Sequence, residues 1–387
     1  MEADAFASAD LVALVRRVFV PRPDDTGIGM LIDLPDAVAP DQPAWRARRV
    51  MAAEWVTRLA AAQTTLRLPT RLLLYRNAHT NNGELPADGA WIHEGGPLPE
   101  TAEALEAVPR VPWAEVFTRH SILFAPTQFS ATAPLKVAAR TFAIRAATMP
   151  GFRAEMIPAL RLDYTEINRR VVALAALLTS AEGADLLFTT PDGEAFLHLD
   201  LRHRTGHASG GLLPEPGTAG NLPSGEAYIV PYEGERAGDP SRTAGVLPVE
   251  FHGEVVRYTV VGNRAVAVVP GGPQAAAEAE CLRAEPAYGN IAELGLGVLA
   301  AFGVTPIGTG LLDEKLGLHI AFGRSDHFGG QVGPGAFSSH DVVVHIDRIY
   351  VPACQPLVSV ARAELVFAGG DRRTIIEAND YVPGLFA

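Results

Sequence analysis

The sequence predicts an α/β protein with two domains, an N-terminal α/β domain over residues 1–150 and a β-rich α+β domain over residues 151–387. The chain of 387 residues is longer than one ordinary hydrophobic core accommodates. Strand and helix patterns alternate in the first part, whereas strand patterns dominate the second. A hydrophobic fraction of 48% with 20% charged residues is typical of a folded globular protein.

The N-terminal domain is predicted from alternating helical and extended patterns. The N-terminal stretch predicts an amphipathic helix in which Leu11 and Leu14 share a face, and acidic residues stand where a secretory signal peptide would be positively charged. A second helix covers residues 43–62, with Val50, Trp55 and Leu59 in its apolar stripe and Trp45 near its start. A third covers residues 135–149. Short apolar runs predict strands at residues 18–20, 29–35, 71–75 and 121–126.

The second domain is predicted to be mostly strands. It opens with one helix over residues 163–183, which Gly183 closes. Two of the strand patterns that follow are joined by a hairpin turn at Gly262-Asn263. Residues 208–220 are rich in glycine and proline and predict a long loop. One further helix, AAAEAECLRA, interrupts the strands before residue 290.

Charge and cysteine content limit the classes of function. The net charge of −12 argues against a nucleic-acid partner, because nucleic-acid-binding proteins concentrate basic residues. No apolar run reaches the length that a membrane-spanning helix needs, so no membrane partner is expected. Two cysteines, Cys281 and Cys354, cannot form a disulfide framework, which predicts a reduced, cytoplasmic protein.

Acids and histidines are concentrated between residues 290 and 350, among apolar runs and glycines. In the strand VVVHIDRIY side chains alternate between the two faces, so His345 and Asp347 project together. An imidazole and a carboxylate side by side on a strand form a suitable pair of metal ligands. The same spacing recurs in His198 and Asp200, so spacing alone does not identify the site. The residues that flank this second pair do not match those of the other candidates, so the sequence favours His345 and Asp347.

Three further candidates strengthen the pair formed by His345 and Asp347. His319 lies in a short apolar run bounded by glycines, Glu226 begins a strand after a Pro-Ser-Gly turn, and Glu293 lies among small apolar residues. A carboxylate in apolar surroundings is costly to bury unless it is paired or bound to a cation. The five side chains could hold two divalent ions, or one ion with groups to spare.

The segments that carry these residues resemble a known family. In order, NLPSGEAYIVP, NIAELGLG, DEKLGLHIAFG and the HID strand are similar to motifs of the thermophilic aminopeptidase T group of metalloaminopeptidases. The resemblance covers residues 148–350 and implies a homodimer that removes N-terminal residues from peptides with two divalent ions, zinc, cobalt or manganese. It also implies the ligands of those ions, which are Glu226, Glu293, His319, His345 and Asp347.

The implied hydrolysis needs groups that move protons. Glu226 and Glu293 are the candidates for the base that activates water. The family carries an active-site tyrosine where this chain has Asp326, followed by His327. These two residues could supply a further ligand or an acid–base group, and a plain polar turn is the alternative. Lys315 could orient a carboxylate, or form a surface ion pair with its acidic neighbours.

Two other functions are compatible with the same residues. The sequence also resembles the related 2,5-dihydroxypyridine dioxygenases, which open a hydroxylated pyridine ring with one iron. In that case a single Fe(II) would bind His319, His345 and Asp347. The third hypothesis is a non-catalytic relative that keeps the fold and binds a ligand or partner, although five retained candidate ligands argue against it.

Overall fold

The computed structural model describes residues 6–387, apart from the side chain of His340. Its α-helices are α1 (Ser8–Phe19), α2 (Pro43–Ala61), α3 (Gln63–Leu66), α4 (Trp113–Arg119), α5 (Thr132–Phe142), α6 (Ile157–Leu160), α7 (Tyr164–Ser180), α8 (Pro273–Ala284) and α9 (Gly310–Asp313). The strands of the first half are β1 (Ile28–Leu34), β2 (Thr70–Arg76), β3 (Trp91–His93), β4 (Ile122–Ala125), β5 (Arg145–Thr148), β6 (Ala181–Thr190), β7 (Gly193–Asp200) and β8 (His207–Ser209). The remaining strands are β9 (Thr218–Asn221), β10 (Glu226–Ile229), β11 (Ala244–Phe251), β12 (Glu254–Val261), β13 (Arg264–Val268), β14 (Ile291–Gly297), β15 (Leu318–Gly323), β16 (His345–Ile349), β17 (Ser359–Phe367), β18 (Arg372–Glu377) and β19 (Asp380–Tyr381). The predicted α/β class with a β-rich second part is confirmed.

The chain divides into two compact units. The first ends at Thr165 and takes in Gly211–Ser224, and the second comprises Glu166–Gly210 and Gly225–Ala387. The sequence predicts a division at residue 150 and a loop over residues 208–220. In the structure β9 forms within that region and pairs in parallel with β5, which adds a segment from the second half to the first unit. Pairing between segments distant in the chain leaves no mark in local periodicity.

The first unit is built on a six-stranded sheet of order β3-β2-β1-β4-β5-β9. All neighbouring strands are parallel except β2 and β3. Every residue of β1 is buried, as expected for a central parallel strand that is covered on both faces. Helix α2 packs on β1 and β2, and α5 packs on β5 and β9. The first unit is therefore an α/β layer structure, as the alternating patterns predict.

The first helix forms as predicted, with Leu11 and Leu14 buried. Residues 18 and 19, predicted as part of a strand, instead complete α1, which ends where Val20 adopts a left-handed conformation. Residues 1–5 of the predicted helix lie outside the described residues.

Two other helices differ from the prediction. The predicted stripe of α2 is confirmed at Trp55 and Leu59, which are buried together with Trp45, but Val50 is exposed. The helix predicted over residues 135–149 ends at Phe142, where the next residue is left-handed. The residues after it form β5 between β4 and β9, so tertiary pairing overrides their helical pattern.

The second unit contains two antiparallel sheets. The larger has eight strands in the order β13-β12-β11-β7-β6-β17-β18-β19, and the smaller has five in the order β16-β15-β14-β10-β8. The predicted hairpin at Gly262-Asn263 joins β12 to β13. Gly183 does not close α7, because it lies in β6, where it pairs with Asp200 and Val366. Among the helices of the described residues, none is both long enough and apolar enough to cross a bilayer.

A buried carboxylate at the end of β1 holds a loop and helix α2 of the first unit together. Asp33, at the end of β1, is fully buried and accepts hydrogen bonds from the backbone N–H groups of Gln128 and Phe129 and from the indole of Trp45. Burial raises the pKa of Asp33 to about 6, even though these hydrogen bonds and the charge of Arg48 act in the opposite direction. The neutral form therefore stabilises the fold, and this contribution is lost as the pH rises through about 6.

The stability of the Asp33→Asn variant relative to the wild type is expected to rise progressively between pH 4 and pH 7. The difference in the free energy of unfolding should change by about 3 kcal/mol, at 1.36 kcal/mol per pKa unit. All four tryptophans lie before residue 120, so tryptophan fluorescence during urea unfolding reports on this unit. Asp36→Asn is the control of opposite sign, because hydrogen bonds from Ala39 and His79 outweigh burial and lower the pKa of Asp36. A pH-independent difference for Asp33→Asn would contradict the prediction.

Candidate metal centre

Four adjacent strands of the five-stranded sheet carry the predicted metal ligands. Glu226 begins β10, Glu293 lies on β14, and His319 lies on β15. The edge strand β16 carries both His345 and Asp347. The pairing of β14 with β15 shifts register just before Glu293, and bulges of this kind re-aim the side chain that follows.

Glu293 lies at the centre of this cluster. Its Oε1 atom is 3.4 Å from His319 Nε2, and its Oε2 atom is 3.3 Å from His345 Nε2. On the outer sides, His319 Nε2 lies 3.4 Å from Glu226 Oε2, and His345 Nε2 lies 3.6 Å from Asp347 Oδ1. The structure therefore brings all five residues together in one row, with a single carboxylate between two imidazoles.

The backbone orients both imidazoles. His345 Nδ1 donates to the carbonyl oxygen of Arg324 at 2.8 Å, and His319 Nδ1 donates to that of Gly317 at 3.2 Å. Metal-binding histidines commonly hold their second ring nitrogen in this way. The arrangement turns the Nε2 atom of each ring toward the carboxylates, where it can serve as a ligand.

The donor set fits a pair of divalent ions. Ligand atoms of Glu226, Glu293 and His319 lie within 4.8 Å of one another, and so do those of Glu293, His345 and Asp347. Glu226 Oε2 and His319 Nε2 are buried without a hydrogen-bond partner among the described residues, which is unusual for polar atoms unless they bind an ion or water. Carboxylate oxygens and imidazole nitrogens are suitable ligands for zinc and related divalent metals. The two groups share Glu293 and could hold one ion each.

In the metal-free row, protonated imidazoles balance the negative charge of the carboxylates. Burial lowers the pKa of His319, but Glu293, Glu226 and Asp347 together raise it to about 9. Burial likewise lowers the pKa of His345, and the neighbouring carboxylates raise it well above its ordinary value. Burial raises the pKa of Glu293, yet the two imidazoles lower it to about 2. The imidazoles thus carry positive charge that the carboxylates favour, and a bound cation would displace those protons.

Lys315 is buried beside the row, with 1% of its surface exposed. Its Nζ atom donates to Glu226 Oε1 at 2.5 Å and also to Glu314 Oε1. Burial, with the charges of Asp347 and Glu226, raises the pKa of Glu314 to about 8 despite Lys315, and Glu314 hydrogen-bonds Asp347. Lys315 does pair with its acidic neighbour Glu314, but the pair is buried rather than on the surface, and the same ammonium group also holds the carboxylate of Glu226.

The turn that carries Asp326 and His327 lies beside His345. The ring centroids of His327 and His345 are 5.2 Å apart, and burial, with the positive charges of His345 and Arg324, lowers the pKa of His327 to about 4. Asp326 instead accepts a hydrogen bond from Arg324 Nε at 2.5 Å. The structure thus brings His327 to the cluster, whereas Asp326 is paired with an arginine of its own turn. A catalytic role stays a prediction for both.

The second histidine–aspartate pair has different partners. His198 Nδ1 lies 2.6 Å from Asp185 Oδ1, and Asp200 accepts hydrogen bonds from the guanidinium of Arg202. These contacts lie on the eight-stranded sheet. The flanking residues therefore distinguish the two pairs, as the sequence predicts.

Sequence reasoning missed two residues of the site. The sequence indicates Glu314 only as a partner of Lys315, whereas in the structure its side chain also interacts with that of Asp347. Tyr228 lies two residues after Glu226 on β10, and the alternation of side chains along a strand places both on one face. That spacing is visible in the sequence and could have indicated Tyr228 once Glu226 was assigned.

Two glycines of the NIAELGLG motif make room for the cluster. A Cβ atom on Gly295 would overlap the imidazole of His319, and one on Gly297 would overlap the backbone of Lys315. The motif is therefore explained by close approach between β14 and its neighbours rather than by turn formation.

Gly295→Ala is expected to displace the His319 ring and to weaken binding of one ion by about 10- to 100-fold, a range typical of disturbed ligand orientation. Equilibrium dialysis against zinc, followed by elemental analysis, measures the effect. Gly335→Ala is the matched control, because a Cβ atom there meets nothing within 4 Å. Wild-type affinity for two ions in the Gly295 variant would show that His319 does not bind metal in this position.

Comparison with known proteins finds similar structures but no similar sequence or family. No protein-family model and no curated protein sequence matches the chain. The structure is similar to 2,5-dihydroxypyridine dioxygenase from Pseudomonas putida KT2440, with a TM-score of 0.62 and 14% identity over 98% of this chain and 99% of that one. It is also similar to wild-type AmpT from Thermus thermophilus, with a TM-score of 0.52 and 16% identity over 98% of this chain and 100% of that one.

These likenesses establish a common fold. The chain adopts, over nearly its whole length, the fold of a dioxygenase and of an aminopeptidase T, the two kinds of protein that its motifs resemble. Because fold alone does not determine chemistry, the function has to be argued from the site.

Proposed function

We propose that the protein is a metal-dependent hydrolase of the aminopeptidase kind, in which the row of five residues holds two divalent ions. The main support is the position of Glu293, whose two oxygens face the Nε2 atoms of different histidines. A carboxylate in that position could serve both groups of candidate ligands, and two divalent ions would supply Lewis-acid chemistry there. Glu226 and His319 would complete one ion's ligands, and His345 with Asp347 would complete the other's.

Bound divalent ions would polarise a peptide carbonyl and make water more acidic. Proton transfer falls to the chain itself. Burial raises the pKa of Glu226, although Lys315 and His319 oppose it, whereas the pKa of Glu293 is about 2. Glu226 is therefore the better proton acceptor of the two carboxylates.

In the proposed reaction the oxygen of water bonds to the carbonyl carbon while one of its protons passes to Glu226. That proton then passes to the amide nitrogen as the carbon–nitrogen bond breaks. One water is consumed, and the products are an N-terminal amino acid and a peptide shortened by one residue. Lys315, held against Glu226 Oε1, keeps this carboxylate in place, so that Oε2 faces the row.

A second candidate function is ring cleavage of a hydroxylated pyridine or similar aromatic by a dioxygenase with one Fe(II). It is supported by the higher TM-score with the dioxygenase and by the presence of two histidines and one aspartate. However, the ligand atoms of His319 group with Glu226 and Glu293, whereas those of His345 group with Asp347 and Glu293. The grouping favours the two-ion hydrolase.

Metal analysis of protein purified without chelators, combined with two assays, tests the proposal. Two equivalents of zinc, cobalt or manganese together with release of leucine from a leucyl peptide are expected. One equivalent of iron with oxygen uptake on 2,5-dihydroxypyridine would overturn the hydrolase in favour of the dioxygenase. A folded, metal-free protein whose properties are unchanged by His345→Ala would leave only a ligand-binding role.

We further propose that the protein acts in the cytoplasm, which its two free cysteines support, and that it is a homodimer, which the resemblance to the aminopeptidase T group supports. Light scattering coupled to gel filtration should then give twice the 41.1 kDa of one chain. A mass of one chain at micromolar concentration would contradict the dimer without affecting the metal site.

A further inference from the structure

A tyrosine with no role in the proposed reaction lies beside the row of candidate metal ligands. Tyr228 is the third residue of β10, a strand that is paired on both sides, with β14 and with β8. Its pairing partner on β14 is Gly295, and the pairing partner of Gly295 on β15 is His319. Because Gly295 has no side chain, the imidazole of His319 lies over it. Tyr228 and His319 therefore lie on the same face of the sheet, and no side chain of β14 separates them.

Aromatic contacts hold the Tyr228 ring in place. Its centroid is 5.2 Å from that of His207, in a stacked arrangement, and 4.9 Å from that of Phe328. The Phe328 ring in turn lies 5.4 Å from the ring of His345. A tyrosine fixed in this way presents its hydroxyl group in a defined position, which is what a hydrogen-bond donor in an active site requires.

The Tyr228 hydroxyl group is free to serve such a purpose. Other buried tyrosines of this unit use their hydroxyl groups internally: Tyr258 donates to Glu278, and Tyr350 donates to the carbonyl of Pro248. No hydrogen bond joins the Tyr228 hydroxyl to any group that the structure describes.

We propose that Tyr228 is a catalytic residue that donates its phenolic hydrogen to the substrate oxygen on which negative charge develops when water adds to the carbonyl. The inference rests on the proposed hydrolase function. No bond is made or broken at Tyr228, since the hydrogen stays on the phenol oxygen. Donors of this kind act mainly in the transition state, so their removal lowers kcat more than it raises KM.

Tyr228→Phe removes one oxygen atom and keeps the ring contacts. With L-leucinamide as substrate, kcat is expected to fall by about 100-fold while KM changes by less than about threefold. Elemental analysis should still find two ions. Calorimetric affinity for the phosphonic acid analogue of leucine, whose tetrahedral oxygens mimic the charged species, should fall by at least about tenfold, and affinity for leucine itself should be retained.

Tyr258→Phe is the control, because it removes a tyrosine hydroxyl from the eight-stranded sheet. It should leave kcat, KM, the ion content and both affinities unchanged. Wild-type kcat and wild-type phosphonate affinity in the Tyr228 variant would overturn the donor role while leaving the hydrolase intact. Loss of metal from that variant would overturn it as well, in favour of a structural role. The calorimetry separates the two failures: a wild type that neither releases leucine nor binds the phosphonate would overturn the hydrolase and the donor role with it, whereas equal phosphonate affinity of an active wild type and the Tyr228 variant would overturn the donor role alone.

Discussion

Glu293→Gln is expected to abolish the binding of two ions and to reduce hydrolysis by at least about 1,000-fold, because both halves of the centre depend on one carboxylate. Glutamine keeps the shape of the side chain but has one oxygen, no charge and an NH₂ group. Its oxygen could face His319 or His345 but not both, and its NH₂ group would face the other imidazole. Elemental analysis after dialysis against zinc should then find one equivalent or less.

Metal-free protein provides an independent measure of the same substitution. Glu293 is 4% exposed and lies 3.4 Å or less from both imidazoles, so removing its charge leaves a buried cluster incompletely paired. Breaking such an interaction typically costs about 3–5 kcal/mol. Glu364→Gln, on β17 of the other sheet, is the matched control, since Glu364 is partly buried and paired with Arg362. A Glu293→Gln protein that binds two ions with wild-type affinity would show that Glu293 does not serve both groups of ligands.

Lys315→Met is expected to destabilise the metal-free protein by about 3–5 kcal/mol, which is the usual consequence of leaving a buried charge without its partner. The Lys315 ammonium group contacts both Glu226 and Glu314, and all three side chains lie within the fold. Methionine fills a similar volume but offers no positive charge to either carboxylate. Urea unfolding followed by far-ultraviolet circular dichroism measures the loss.

The chain offers a matched control for this experiment, because Lys136 is its only other lysine. Lys136 is partly exposed on α5, so Lys136→Met should change the free energy of unfolding by less than about 1 kcal/mol. Added zinc should restore part of the stability of the Lys315 variant, since a cation bound by Glu226 supplies the missing positive charge. Equal stability of the two variants without metal would show that Lys315 is not required to hold Glu226.

Much of the candidate site could be predicted because its residues lie in local patterns. Alternation along a single strand is sufficient to place His345 and Asp347 on one face, and glycines around His319 indicate close approach of strands. Local patterns also explain the errors. Residues 145–148 are rich in alanine and resemble a helix, yet they pair between two strands of a parallel sheet. The residues of β9 have the local pattern of a loop, because the strand that they pair with lies about seventy residues away.

The sequence by itself determined the fold class, the candidate ligands and the distinction between the two histidine–aspartate pairs, since these depend on composition, periodicity and flanking residues. Tertiary structure decided the order within the cluster, because the position of Glu293 between His319 and His345 depends on the pairing of β14, β15 and β16. It also decided that Lys315 is buried and that Tyr228 borders the site. Cross-strand pairing brings together residues whose separation along the chain carries no information about their distance in space.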